Sequence, residues 1–309
     1  MLRPDIVDLT NRSAIGAMHN SRQRGEAPKC HPNTRVAVQE DIFGWITDGE
    51  GDEEPKQIMW LTGPAGTGKT AIMGSVADTC YHRGLLAGSF FFSAVVKSNH
   101  VRLKARFVIT LAYQIQQHPA LKRTVGRKIL SAVVDDPGIF EKSCDEQLEV
   151  LVLQPLRDCR QLIDELKPDK RPRVIVVDGL DECEADTESM RAKERTKEDD
   201  QVDILTLLLR ATKDPAFPFR IVIASRPEKA IRNFFSESPG KGCALELFLD
   251  EKYSPDADIR PFLQARFAHI RRQHPHLRLS TSWPGTGAIE KLVENASGQF
   301  IYVATVMGF

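Results

Sequence analysis

The six cysteines, Cys30, Cys80, Cys144, Cys159, Cys183 and Cys243, are scattered along 309 residues without one Cys-x-x-Cys pair. That spacing argues against a zinc site or a dense disulfide framework and fits reduced thiols in a cytoplasmic protein. Net charge is absent too: Lys+Arg and Asp+Glu are both 42. No global field therefore favours nucleic acid or an anionic membrane as partner. No apolar run approaches the ~20 residues needed to span a bilayer. The opening Met1-Leu2-Arg3-Pro4-Asp5 is charged and broken by proline, against a secretory signal. Repeats of solenoid or propeller period are missing. The triplet Phe90-Phe91-Phe92 lacks interleaved basic residues, so it reads as core strand and not as a base-stacking platform. His269, His274 and His276 lack paired acids or cysteines and read as exposed helix-end residues. Arg260, Arg266, Arg271 and Arg272 read as the solvated face of a helix.

What the chain does have is Gly63-Pro64-Ala65-Gly66-Thr67-Gly68-Lys69-Thr70, between the apolar run Ile58–Leu61 and the helical spacing that starts at Ala71. This is a complete phosphate-binding loop in strand–loop–helix context. Its small residues let backbone N–H groups face phosphate oxygens, and the helix adds the positive end of its dipole. Lys69 would place a charge on the β- and γ-phosphates, and the Thr70 hydroxyl would be one ligand of Mg²⁺.

Four further strands are expected at 87–93, 173–178, 219–227 and 244–249. Helices are expected at 36–46, 103–118, 121–134, 146–166 and 202–212, and along 259–306. The acidic stretch 48–55 reads as a turn, and 184–201 as an exposed loop without an apolar face. Strand–helix alternation predicts an α/β fold, a five-stranded parallel doubly wound sheet with a C-terminal helical extension. The expected organisation is an arm over 1–34, a nucleotide-binding domain over 35–252 and helices over 253–309.

Ligands bind such sheets at the strand carboxyl ends, where two more motifs fall. Asp178-Gly179-Leu180-Asp181-Glu182 follows four apolar residues, and Asp178 supplies a hard oxygen for Mg²⁺ opposite Thr70. Asp181 or Glu182 would orient or deprotonate an attacking water, and spacing does not choose between them. Ser225-Arg226 ends the next strand and would place a guanidinium near the γ-phosphate, the competing reading being a surface ion pair with an acid such as Glu228.

With these residues the chain resembles a NACHT-type domain of the signal-transducing P-loop NTPase (STAND) class, specifically the nephrocystin-like N-terminal module of mushroom-forming fungi. The resemblance runs through Cys30-His31-Pro32-Asn33-Thr34-Arg35, Trp60 to Thr70, Ser89-Phe90-Phe91-Phe92, Thr110 to Ile115, Asp178 to Cys183, Ala224 to Glu228 and Ser297 to Thr305. It implies a loop strand near the sheet centre, with the second, acidic and sensor strands on one side, and Thr34-Arg35 near the nucleotide. It also implies ATP in preference to GTP, slow Mg²⁺-dependent hydrolysis and switching with self-association through the nucleotide domain. The winged-helix unit, repeat array and effector domain of full-length relatives are not recognisable here. A nucleotide-holding interaction module without turnover is the alternative, and a nucleic-acid-acting ATPase is disfavoured.

Overall fold

The computed structural model describes residues 4–24, 28–47, 55–93, 102–185, 195–250, 253 and 255–307. The acidic turn expected at 48–55 lies outside these residues except for Pro55, as does the middle of the loop expected at 184–201.

Five strands, β1 (Ile58–Thr62), β2 (Leu86–Phe91), β3 (Val174–Asp178), β4 (Arg220–Ser225) and β5 (Ala244–Phe248), form one sheet in the order β2-β3-β4-β1-β5. All pairs are parallel. The fold is the α/β class expected, with β2, β3 and β4 on one side of the loop strand. Thr62 pairs with Ser225, Asp178 with Ala224 and Phe91 with Asp178, so the strand ends that carry the motifs line one edge.

The strands separate two cores by their period of two. Ile58, Trp60, Ile175, Val177, Ile221 and Ile223 face one core, which includes α4 (Phe107–Gln117) and α5 (Val125–Asp135). Met59, Leu61, Val174, Val176, Val222 and Ala224 face the other, built with α2 (Val36–Thr47) and α3 (Lys69–His82). The amino-terminal helix α1 (Pro4–Arg12) and the turn after it contribute Leu9, Ala14 and Ala17 to the first core.

Two local expectations differ from the structure. The single helix over 146–166 is instead α6 (Cys144–Leu148), a π-helical turn (Glu149–Leu153), α7 (Gln154–Asp158) and α8 (Arg160–Asp164). Pro155 has no N–H for the Leu151 carbonyl and its ring crowds that group, so the helix widens just before it. The loop expected up to residue 201 ends sooner, because α9 runs over Lys197–Thr212. Thr196 and Asp199 form a capping box, and buried Asp200 is held by Lys104 at 2.8 Å and Arg195 at 2.8 Å. A charged first turn can thus be buried when its charges are paired, which a search for an apolar face misses.

After α10 (Lys229–Ser236) and β5, the helices α11 (Pro255–Gln273), α12 (Thr286–Ala296) and α13 (Phe300–Val306) enclose a small core of their own, with Ile259, Leu263, Val293 and Val303 at its centre. Among the described residues no helix is long and apolar enough to cross a membrane.

Candidate functional site

The loop leaves β1 at Thr62 and enters α3 at Lys69. Gly66 (φ +81°) and Gly68 (φ +91°) lie in the left-handed region that side chains avoid, which is why glycine recurs at these turns. Lys69 Nζ donates to the carbonyls of Gly63 at 2.7 Å and Pro64 at 2.8 Å, so it curls back over the loop it would share with phosphate. Burial lowers its pKa, opposed by Asp181 and Asp178. Thr67 Oγ1 donates to the Pro64 carbonyl at 3.0 Å and braces the turn, while Pro64 and Ala65 are exposed at its tip.

Thr70 and Asp178 meet: the Thr70 hydroxyl lies close enough to the Asp178 carboxylate to favour its charged form. Asp178 is buried, and its pKa is pushed up to about 7 by burial first and by the charges of Glu182 and Asp181, against the pull of Thr70 and of the Arg24 charge. After Asp178 the chain turns at Gly179 (φ +70°), where a Cβ would lie 2.6 Å from the Phe92 carbonyl oxygen. Glycine is therefore required twice over, by dihedral and by space.

The turn also delivers Asp181 and Glu182. Asp181 Oδ1 accepts the Arg226 backbone N–H at 3.0 Å, and Oδ2 lies 3.3 Å from Arg226 Nε. Arg226 pairs with Asp181 and not with Glu228, the partner considered from the sequence. Gln201 on α9 donates to the Asp181 carbonyl at 3.2 Å. Beside them, buried Ser225 accepts the Trp60 indole N–H at 2.8 Å, locking the ends of β1 and β4.

Arg35 approaches the loop from behind. Its side chain is 4% exposed, and Nη2 donates to the Thr67 carbonyl at 3.0 Å. Its guanidinium stands 4.9 Å over the Phe300 ring, and Nε lies 4.0 Å from Asp258, whose carboxylate is raised in pKa by burial and held down by the Arg35 backbone and charge. Buried Nε and Nη1 make no hydrogen bond. The left-handed backbone of Arg35 (φ +55°), rare for such a residue, is held by these contacts. Thr34 is buried next to it and donates to the His31 carbonyl at 2.7 Å. The start of α13 sits on the same loop: the Ile301 N–H donates to the Gly66 carbonyl at 3.3 Å.

The donor set suits a hard divalent cation. Among the described residues no three His, Cys, Asp or Glu side chains are grouped to cage a metal. Mg²⁺ needs no such cage, since it is commonly held by one or two protein oxygens with phosphate and water. A hydroxyl and a carboxylate that face each other, Thr70 and Asp178, are the residues that would hold it.

The weaker sequence candidates lie elsewhere. His274 and His276 pack their rings together at 5.5 Å on an exposed turn, and Arg260 pairs with Glu290 at 2.7 Å. Phe90 and Phe92 stack in the core with Phe107. Residues that sequence reasoning did not single out are Arg24, Gln201 and Asp258, none of which falls in a position that a chemistry-bearing motif marks; Phe300 and Ile301 lie in the segment Ser297 to Thr305 that carries the resemblance, which implies no role for them.

A parallel sheet of this order, with a glycine-rich loop between its fourth-placed strand and a helix, defines a P-loop NTPase-like domain. The chain belongs to the family described as nephrocystin 3, N-terminal, whose profile matches residues 38–226, more than half of its length. That match contains the loop, Asp178 and Arg226, and leaves Arg35 and α11 to α13 outside. No curated protein matches the sequence. Similar solved structures include PCH-2 of C. elegans, at 11% identity and TM-score 0.39 over 88% of this chain and 61% of that one. Another is the ORC2 protein of Aeropyrum pernix in ADPNP-ADP complexes, at 14% identity and TM-score 0.35 over 81% and 55%. The chain thus spans less than two thirds of either.

Proposed function

We propose that this chain binds a nucleoside triphosphate, ATP in preference to GTP, with Mg²⁺, and hydrolyses it slowly as a cytoplasmic signalling switch. The observation that carries the reading is the meeting of Thr70, at the end of the glycine-rich loop, with buried Asp178, at the acidic strand end across the intervening β4, where the hydroxyl favours the charged carboxylate. Mg²⁺, when bound, would offset charge on the β- and γ-phosphates. Lys69 would exchange its two carbonyl partners for phosphate oxygens, a charge-assisted gain. Switching is supported by the contacts of Ile301 with Gly66 and of Arg35 with Thr67, Asp258 and Phe300. They make the helical unit sensitive to the shape of the loop, and a ligand shifts an equilibrium only through such differential contacts. Self-association through the nucleotide domain completes the proposal.

Calorimetric titration with ATP, GTP and ADP, with and without Mg²⁺, tests it. Tight Mg²⁺-dependent ATP binding that Lys69→Ala weakens by about tenfold or more is the expected result. No nucleotide binding, or binding indifferent to Lys69, would end the proposal.

A second reading, nucleotide binding without turnover, is favoured by one contact: Asp181 is engaged by Arg226 through both carboxylate oxygens. Phosphate release by the parent chain that falls in Glu182→Gln excludes it. No release at all excludes the hydrolytic reading.

A further inference from the structure

The turn Arg22–Arg24, well before the family match begins, reaches the metal end of the site. Its anchor is polar. The backbone N–H of His19 donates to Ser89 Oγ at 3.0 Å, and Ser89 is clamped by Gln114, which accepts the Ser89 N–H at 2.9 Å and donates to its carbonyl at 2.8 Å. Arg24 Nη1 donates to the His19 carbonyl at 3.2 Å. From there its guanidinium lies 3.5 Å above the centroid of the Phe91 ring. Phe91 is the β2 residue in register with Asp178, and the Phe92 N–H donates to the Asp178 carbonyl at 2.9 Å. A cation stacked on Phe91 therefore stands on the β2 side of Asp178, while Thr70 approaches it from α3. Arg24 and Asp178 attract each other without sharing a hydrogen bond, and Asp181 and Glu182 add negative charge beside them.

We propose that Arg24 is the resident counter-ion of the metal carboxylate Asp178, a fixed charge against which an entering divalent cation must bind. The inference rests on the reading of Thr70 and Asp178 as the Mg²⁺ site. Arg24 offsets the acidic strand end while no metal is bound and repels the metal when it arrives, so the segment 18–24 becomes a wall of the site. Divalent binding is thereby made to depend on the extra negative charge that a nucleotide phosphate brings. Arg24 touches no reacting atom and acts on the metal through the field alone.

The test is Mn²⁺ binding to the full chain, followed by loss of the free-ion paramagnetic resonance signal, with and without ADP. Arg24→Gln, and Arg24→Met, which keeps packing on Phe91, are expected to tighten Mn²⁺ by about fivefold, from the repulsion of a unit charge several ångströms away. Arg24→Lys and Arg22→Gln, a charge loss at the exposed neighbour, should stay within about twofold of the parent. Without metal, Arg24→Met should melt lower than the parent, and Mn²⁺ should raise its melting temperature more. Unchanged or weaker Mn²⁺ binding in both neutral variants overturns the inference, and so does an equal gain in Arg22→Gln. If the parent binds nucleotide but no Mn²⁺, the metal reading fails as well. If the parent binds both and the Arg24 variants do not differ from it, only the inference fails.

Discussion

Asp181 holds Arg226 at two points, accepting its backbone N–H at 3.0 Å and lying 3.3 Å from its Nε. The Arg226 side chain is half exposed, so water screens the ion pair. A double-mutant cycle of Asp181→Asn with Arg226→Gln, read by urea unfolding, should give a coupling of about 1 kcal/mol or less. A coupling of several kcal/mol would mean that the pair is a structural clamp and not a group free to exchange partners when phosphate binds.

Gly66 has no room for a side chain. A Cβ there would fall 2.4 Å from Ile301 Cγ2, in a backbone with φ +81°. Gly66→Ala should cost about 1–3 kcal/mol, from the dihedral and from the push on α13. Adding Ile301→Ala should recover part of the loss, because one of the clashing atoms is then gone. Strict additivity of the two changes in thermal melts would show that α13 does not rest on the loop.

Arg35→Ala removes the bond to Thr67, the stack on Phe300 and the cation beside Asp258. Stability should fall by about 2–4 kcal/mol, since Asp258 keeps its charge without its partner. Amide exchange should quicken in α11 and α13 more than in β1. Arg35→Lys should rescue little, because an ammonium cannot donate to Thr67 and lie flat over Phe300 together. Full rescue by lysine would reduce the role of Arg35 to charge alone.

His19 gives the protein an acid sensitivity. Burial lowers its pKa from the usual 6.5 to about 4, and Arg24, Lys29 and His82 act in the same direction against Asp78. The folded state therefore resists a proton that the unfolded chain accepts. Its contribution is fully present above pH 6.5 and is lost as pH falls from there towards 4. The urea midpoint of the parent should fall across that window more steeply than that of His19→Asn, and equal slopes would show that the ring is solvated.

The phosphate loop, the Asp178 turn and the five strands were legible because their chemistry is local. Eight consecutive residues suffice for a phosphate cradle, four β-branched residues for a buried parallel strand, and Gly179 for the turn that clears Phe92. The same local reasoning failed where a charged turn is buried by partners distant in sequence, as Asp200 is by Lys104.

The sequence by itself thus determined that a glycine-rich loop of phosphate-binding pattern and a hard carboxylate lie at the carboxyl ends of strands in one parallel sheet. Tertiary structure alone decided what surrounds them: Arg226 turned to Asp181, Arg24 stacked on Phe91, and Arg35 joined Thr67 to Asp258 and Phe300. These pairs are separated by 45, 67, 32, 223 and 265 positions. No period or motif spans such gaps; only the packing of helices on both sheet faces brings their side chains within reach.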